Sequence, residues 1–148
     1  MSEIPEQPVK VNKLVKLDEL LGRERSDWTK KIQDLANDLK TGNNLHEVSS
    51  YTLSYRQILI EGLASISSKI RTQKAKIDKL YQEAWIRYYT YDYKLTDSQR
   101  EKFIKSDLSD ELQLQEMLES HKDFLTGTVK TLDNMGFAIK QRIDMKQL

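Results

Sequence analysis

The chain has 148 residues, 32% of them charged, with 24 Lys and Arg against 23 Asp and Glu for a net charge of +1; that length supports one modest core, and any surface for a polyanion must come from local clustering or from repeated subunits. The lack of cysteine excludes a disulfide framework, thiolate metal sites and cysteine nucleophiles. No apolar run approaches the ~20 residues of a membrane span, and the opening Met-Ser-Glu-Ile-Pro-Glu-Gln-Pro is unlike a signal peptide, so no membrane contact is expected and the chain reads as soluble and intracellular.

Five glycines and two prolines suit a few long helices, and the expected class is all-α: a long-helix bundle ending in a coiled-coil-like oligomerisation helix. Residues 1–9 hold both prolines, Pro5 and Pro8, and read as a flexible arm. Residues 10–42 form an N-terminal helical segment. Val11, Leu14, Leu17 and Leu21 recur at helical spacing, and Gly22 is expected to end that helix. Ser26 or Asp27 then caps a second helix whose stripe is Trp28, Ile32, Leu35, Ala36 and Leu39. Thr41-Gly42-Asn43 stops it.

Residues 43–94 hold the longest helix. Asn44-x-x-Glu47 has the form of a capping box; no proline follows anywhere in the chain, and no other strong break comes until about Tyr91. The expected stripe runs through Tyr51, Tyr55, Ile58, Gly62, Ile66, Ile70, Gln73, Ile77, Leu80, Ala84, Tyr88 and Tyr91. Its mean step is close to 3.6 residues, which keeps it on one face of a straight rod of roughly 70 Å. A rod that long must lie against other helices.

Residues 95–148 complete the chain. Thr96-x-x-Gln99 is a second capping box, opening a short helix through Phe103 and Ile104. A turn follows at Ser106–Asp110, and a last helix runs nearly to Leu148. In heptad terms Leu118, Leu125, Leu132 and Ile139 are d positions. Lys122, Val129, Gly136 and Ile143 are a positions. The pattern predicts an oligomer seam, in which Gly136 would admit a close backbone. An ordinary amphipathic helix in a monomeric bundle is the competing reading.

Catalytic chemistry is missing from the pattern. The scattered glycines build no phosphate-gripping loop. His46 and His121 have no metal-ligand spacing on their own helices, and no nucleophile–base pair is evident. No enzyme, cofactor or metal is expected.

One stretch does carry chemistry. Tyr81, Trp85, Tyr88, Tyr89, Tyr91 and Tyr93 crowd together, just after Lys69, Arg71, Lys74, Lys76 and Lys79. Arg87 lies among the rings. Cations serve phosphates and ring faces serve unpaired bases, so the candidate DNA-binding residues are Lys69, Arg71, Lys74, Lys76, Lys79, Trp85, Arg87 and Tyr89. Tyr88 and Tyr91 belong to the apolar stripe, whereas Tyr81, Trp85 and Tyr89 share a second face. A solvated cationic helix face and oligomer packing by the rings explain the same residues.

Gly136-Phe137-Ala138-Ile139-Lys140 followed by Asp144-Met145 resembles the C-terminal signature of the UvsY-type recombination mediators of tailed phages. The Tyr88-Tyr89 pair, closing a long basic helix about fifty residues earlier, resembles the same family, as do the length and the lack of cysteine. The resemblance implies a non-enzymatic accessory protein of homologous recombination, repair and replication. It implies closed rings of about six or seven subunits joined through the C-terminal helical region, here Leu118, Leu125, Val129, Leu132, Gly136, Ile139 and Ile143. Its implied partners are single-stranded DNA, a RecA-like phage recombinase and the phage single-strand-binding protein, in the cytoplasm of the infected host. Lys79 is the best-matched cation. Glu83 and Trp85 stand where relatives have basic residues. The alternative is a structural or scaffolding helical phage protein without affinity for DNA.

Overall fold

The computed structural model describes residues 9–90 and 95–146, with side-chain surroundings from residue 13 onward. Nearly all described residues are helical and none is in a strand, so the chain is all-α. Among the described residues the helices follow in the order α1 (Val9–Thr41), α2 (Leu45–Tyr89), α3 (Asp97–Asp107) and α4 (Ser109–Lys146). The expected arm lies outside the described residues, apart from Val9, which begins α1.

Helix α1 is unbroken across Gly22, contrary to the expected stop. A mid-helix glycine costs about 1 kcal/mol relative to alanine. Here Leu21, before the glycine, is buried and lines a cavity with Ile66 of α2 and Leu118 of α4, and Trp28 and Leu35, after it, join the core made with the same two helices. Tertiary burial of about 1.5–3 kcal/mol per large side chain exceeds that cost. Ser26 and Asp27 are therefore interior helix residues rather than caps. The stop at Gly42 does occur: its φ of 71° is left-handed, and its N–H donates to the Asp38 and Leu39 carbonyls at 3.2 and 3.3 Å, closing the helix end as glycine favours.

The reversal after Gly42 is tight. Asn44 also sits in the left-handed region, at φ 54°, and its side chain makes no cap hydrogen bond. The Asn44–Glu47 capping box is thus not formed. Asparagine supplies a turn conformation here. By contrast Thr96 and Gln99 form both bonds of their box, at 3.2 and 3.1 Å.

Helix α2 returns antiparallel to α1, and α4 lies antiparallel to α2. Arg56 meets Asp133 at 2.6 Å, Lys74 meets Glu119 at 3.4 Å and Lys76 meets Glu111 at 3.0 Å. The main core is a three-helix contact of Trp28 and Leu35 with Val48, Leu59, Ile66 and Ile70, and with Leu118, Leu125, Leu132 and Ile139. The buried stripe of α2 agrees with the sequence reading from Ile66 to Ala84 but is rotated before it. Tyr51 and Ile58 are about half exposed, while Val48, Thr52 and Leu59 are buried. Thr52 tolerates burial because its hydroxyl donates to the Val48 carbonyl at 2.8 Å.

A second, smaller core closes the far end of α2. Ala84, Ile104 and Leu108 are buried together, with Leu80, Tyr81, Trp85 and Tyr88 against them. The expected turn at Ser106–Asp110 contracts to Leu108 alone. This residue accepts the chain from α3 and starts α4, its carbonyl taking the Leu112 N–H at 2.9 Å.

His121 is buried between α1 and α4. Its Nε2 lies 3.1 Å from a Glu24 oxygen, its ring stacks on Phe124, and Nδ1 has no hydrogen-bond partner among the described residues. Burial, reinforced by nearby Arg25 and opposed by Glu24, holds its pKa below the ordinary value. The unfolded chain therefore binds the extra proton first, and stability is expected to fall as pH drops from about 6.5 through the lowered folded value. Urea midpoints at pH 7.5 and 5.5 check this. The midpoint difference is expected to shrink in His121→Leu, and an unchanged difference would place the pH sensitivity elsewhere.

Candidate nucleic-acid interface

The basic and aromatic residues of α2 fall on two flanks rather than one band. In a helix of 3.6 residues per turn, Arg71 and Tyr89 are about five turns apart, and Lys74, Tyr81 and Trp85 stand near the same line. Lys69, Lys76, Lys79 and Arg87 lie on the other side of the buried stripe. The lysine flank looks toward α1: Lys69 lines a cavity of about 470 Å³ beneath α1, beside Leu17, Leu21 and Thr72. Lys76 lines a second cavity, next to Lys13 and Leu14.

Ion pairing divides the cations further. Lys74 is held by Glu119, Lys76 by Glu111 and Arg87 by Asp107. Glu111 also accepts from the buried Gln73 amide, at 2.7 Å to its carboxylate and 3.0 Å to its backbone oxygen. Lys69, Arg71 and Lys79 are exposed and make no ion pair among the described residues. Of the expected phosphate contacts, these three are the uncommitted ones. Exposed pairs such as Lys74–Glu119 are worth only about 0–1 kcal/mol, so a polyanion can displace them.

The rings are organised by α3, which crosses back under the end of α2. Tyr81 and Trp85 are stacked, with centroids 6.4 Å apart and planes 17° off parallel. Arg100 of α3 places its guanidinium 5.0 Å from the Trp85 ring and 5.4 Å from the Tyr89 ring. Its Nη1 meets Asp97 at 3.2 Å and its Nη2 reaches the Leu95 carbonyl at 3.5 Å. The sequence reading missed Arg100. It lies eleven residues past Tyr89, in a helix of its own, and only the capping box that fixes where α3 begins hints at its placement. On the opposite side Tyr88 stacks on Phe103, and its hydroxyl donates to Asp107. That hydrogen bond, followed by lost solvation and the carboxylate's charge, raises the phenol's pKa above its ordinary value. Tyr88 is thus structural, as expected. Tyr91 and Tyr93 lie outside the described residues.

The exposed edge of this ring group is apolar. Tyr89 is 71% exposed and Ile86 65%, and Tyr81, Gln82, Trp85 and Ile86 border an open hollow of about 460 Å³. Charge follows the same region. Residues 69–107 contain ten Lys and Arg and six Asp and Glu, giving +4, while the remainder holds 14 and 17, giving −3. The segment is thus positive in a near-neutral chain, with Glu111 and Glu119 of α4 set against two of its lysines.

The residues assigned to an oligomer seam are placed differently. Leu118, Leu125, Leu132 and Ile139 are buried within the chain's own bundle, and Val129 and Ile143 pack half-buried against it. The heptad pattern is therefore satisfied by α2 and α1, and the d residues are not free on the surface of the protomer. Gly136 is half-exposed, and no described atom of another segment lies within 4 Å of where a Cβ would stand. Beside it Phe137 is 71% exposed.

Comparison with protein-family models, with curated proteins and with solved structures finds no match to the chain. Among the described residues no group of side chains is arranged to hold a metal ion, and no helix is long and apolar enough to cross a membrane.

Proposed function

We propose that this protein is a recombination mediator that binds single-stranded DNA without sequence preference, acts as a homo-oligomer, and loads a RecA-like recombinase onto DNA covered by single-strand-binding protein. The carrying observation is the coincidence, in residues 69–107, of the chain's excess positive charge with solvent-facing rings. Charge without rings suits a solvated helix, and rings without charge suit a protein contact. Both together suit a strand with unpaired bases. The recombination context rests on the C-terminal and Tyr88-Tyr89 resemblance to the UvsY-type mediators.

In this reading repetition of subunits turns a weak patch into firm binding through effective concentration. With the d residues inside the bundle, contacts between copies fall to the outer side of α4, at Phe137 and the gap over Gly136. A mediator has no bond to make or break. It shifts the competition between two other proteins only by holding DNA in a state that one of them binds better.

Removing uncommitted cations tests the DNA contact. Alanine at Lys69, Arg71 and Lys79 together is expected to weaken binding of a short single strand. It should also flatten the salt dependence by ~0.7 in log–log slope for each phosphate that is no longer neutralised. Anisotropy across a salt series reads both. An unaltered slope would exclude these three cations as phosphate contacts.

A structural or scaffolding role is the second reading. It is favoured by the ion pairs that already occupy Lys74, Lys76 and Arg87. Absence of oligonucleotide binding even at low salt would select it.

A further inference from the structure

We propose that Trp85, Tyr89 and Arg100 form a stacking platform for the unpaired bases of a single strand, with the phosphates led along Arg71 and Lys74 rather than along the lysine flank. This inference rests on the DNA-binding reading and specifies its contact atoms.

Three observations converge on it. The first is geometric. Arg71 and Lys74 share the side of α2 that carries Trp85 and Tyr89, whereas Lys69 and Lys76 line cavities beneath α1. A strand whose bases reach the rings can run back along this side to Lys74 and Arg71, passing the single carboxylate of Asp78 on the way.

The second is the state of Arg100. Its side chain is 12% exposed, whereas Asp97, its carboxylate partner, is 88% exposed, and its Nε has no acceptor among the described residues. A largely desolvated cation paired with a hydrated carboxylate keeps much of its field. Surface ion pairs are weak, whereas a guanidinium held against ring faces adds a cation–π attraction that strengthens as water is excluded. The planar group thus fixes the spacing and tilt of two rings that belong to one helix, using a side chain from another.

The third is exposure. Tyr89 and Ile86 are the most open large apolar side chains of α2 beyond its first turns, at 71% and 65%. The neighbouring ring Tyr88 is instead covered by Phe103. One edge of the ring group is packed and the other is bare. Arg87 on the packed edge is paired with Asp107, whereas on the bare edge Arg100 lies against Trp85 and Tyr89, so the complement of that edge is a flat apolar group on an anionic chain. A base in a single strand has that chemistry. In a duplex both base faces are already stacked and closed to a ring.

Arg100 acts as a positioning residue through the rings, and the exposed Tyr89 ring makes the contact beside the open edge of Trp85, whose faces meet Tyr81 and Arg100. The test is a titration of the full-length chain with a labelled oligonucleotide, following anisotropy and tryptophan emission together. The second tryptophan, Trp28, is buried in the main core and serves as an internal reference. Single strands are expected to quench emission and duplex of the same length to leave it unchanged. In Trp85→Leu the quench should vanish and affinity should fall roughly 5- to 140-fold, the equivalent of about 1–3 kcal/mol for a stacked base. Arg100→Lys keeps the charge and loses the planar group. It is expected to weaken binding without changing the salt slope, and full recovery of wild-type affinity by lysine would overturn the positioning role. Binding without any quench would overturn the platform while leaving the DNA-binding reading in place. Failure to bind at any salt would overturn both.

Discussion

Replacing Leu132 by alanine is expected to destabilise the fold by about 2–5 kcal/mol, enough to remove much of the stability of a small domain. Leu132 is 1% exposed and touches the main core shared by α1, α2 and α4, so the cavity left behind has no solvent to fill it. Leu132→Asp is expected to unfold the bundle outright, because an unpaired carboxylate would be buried among leucines. Urea denaturation at two protein concentrations gives the decisive comparison. If Leu132 sealed only an intersubunit seam, either change would lower the mass in solution while leaving a folded protomer. Loss of helicity at every concentration marks it as core. A folded, dissociated Leu132→Asp protein would refute the placement.

The second large effect is at the other end. Ile104 is fully buried and forms the centre of the small core with Ala84 and Leu108. Ile104→Ala is expected to cost about 2–5 kcal/mol locally. That core is small, and loss of its most deeply buried side chain should release α3 while the main bundle persists. Two probes separate the outcomes. Amide exchange should accelerate in 97–107 but not across Leu125–Ile139, and strand binding should weaken because Arg100 leaves the rings. Uniform acceleration throughout the chain would mean that the two cores melt as one unit.

Much of this fold can be read from the chain, and the exceptions have physical causes. The helical class follows from long stretches without proline and from apolar residues at 3.6-residue spacing. The Gly42 stop and the Thr96–Gln99 box are local events, and local sequence specifies them. Gly22 misleads because the penalty for glycine is smaller than the burial gained on either side of it. Ile58 and Leu59 are neighbours of similar hydrophobicity, so periodicity alone cannot decide which of them faces the core; the positions of α1 and α4 decide it. The d positions of α4 are buried, but His121 and Thr128 rather than the expected a positions complete the buried face, and sequence spacing does not say whether the partner helix belongs to the same chain. Here α2 and α1 supply it.

The candidate site divides in the same way. The crowding of Tyr81, Trp85 and Tyr89 near cations is visible in one dimension. The separation of those cations onto two flanks follows from helix geometry once the buried face is known. The ion pairs of Lys74 and Lys76 with α4 and the approach of Arg100 depend on meetings between distant segments, which no local pattern contains.

The unbroken course of α2 through both cores has a mechanical consequence. A continuous helix of 45 residues resists bending, so the aromatic end cannot swivel independently of the bundle that anchors the other end. If copies of this protein join along their bundles, their aromatic tips are set out like the teeth of a cogwheel. The pitch between neighbouring tips is then dictated by the joint, and a bound polymer has to adapt its own flexible backbone to that pitch.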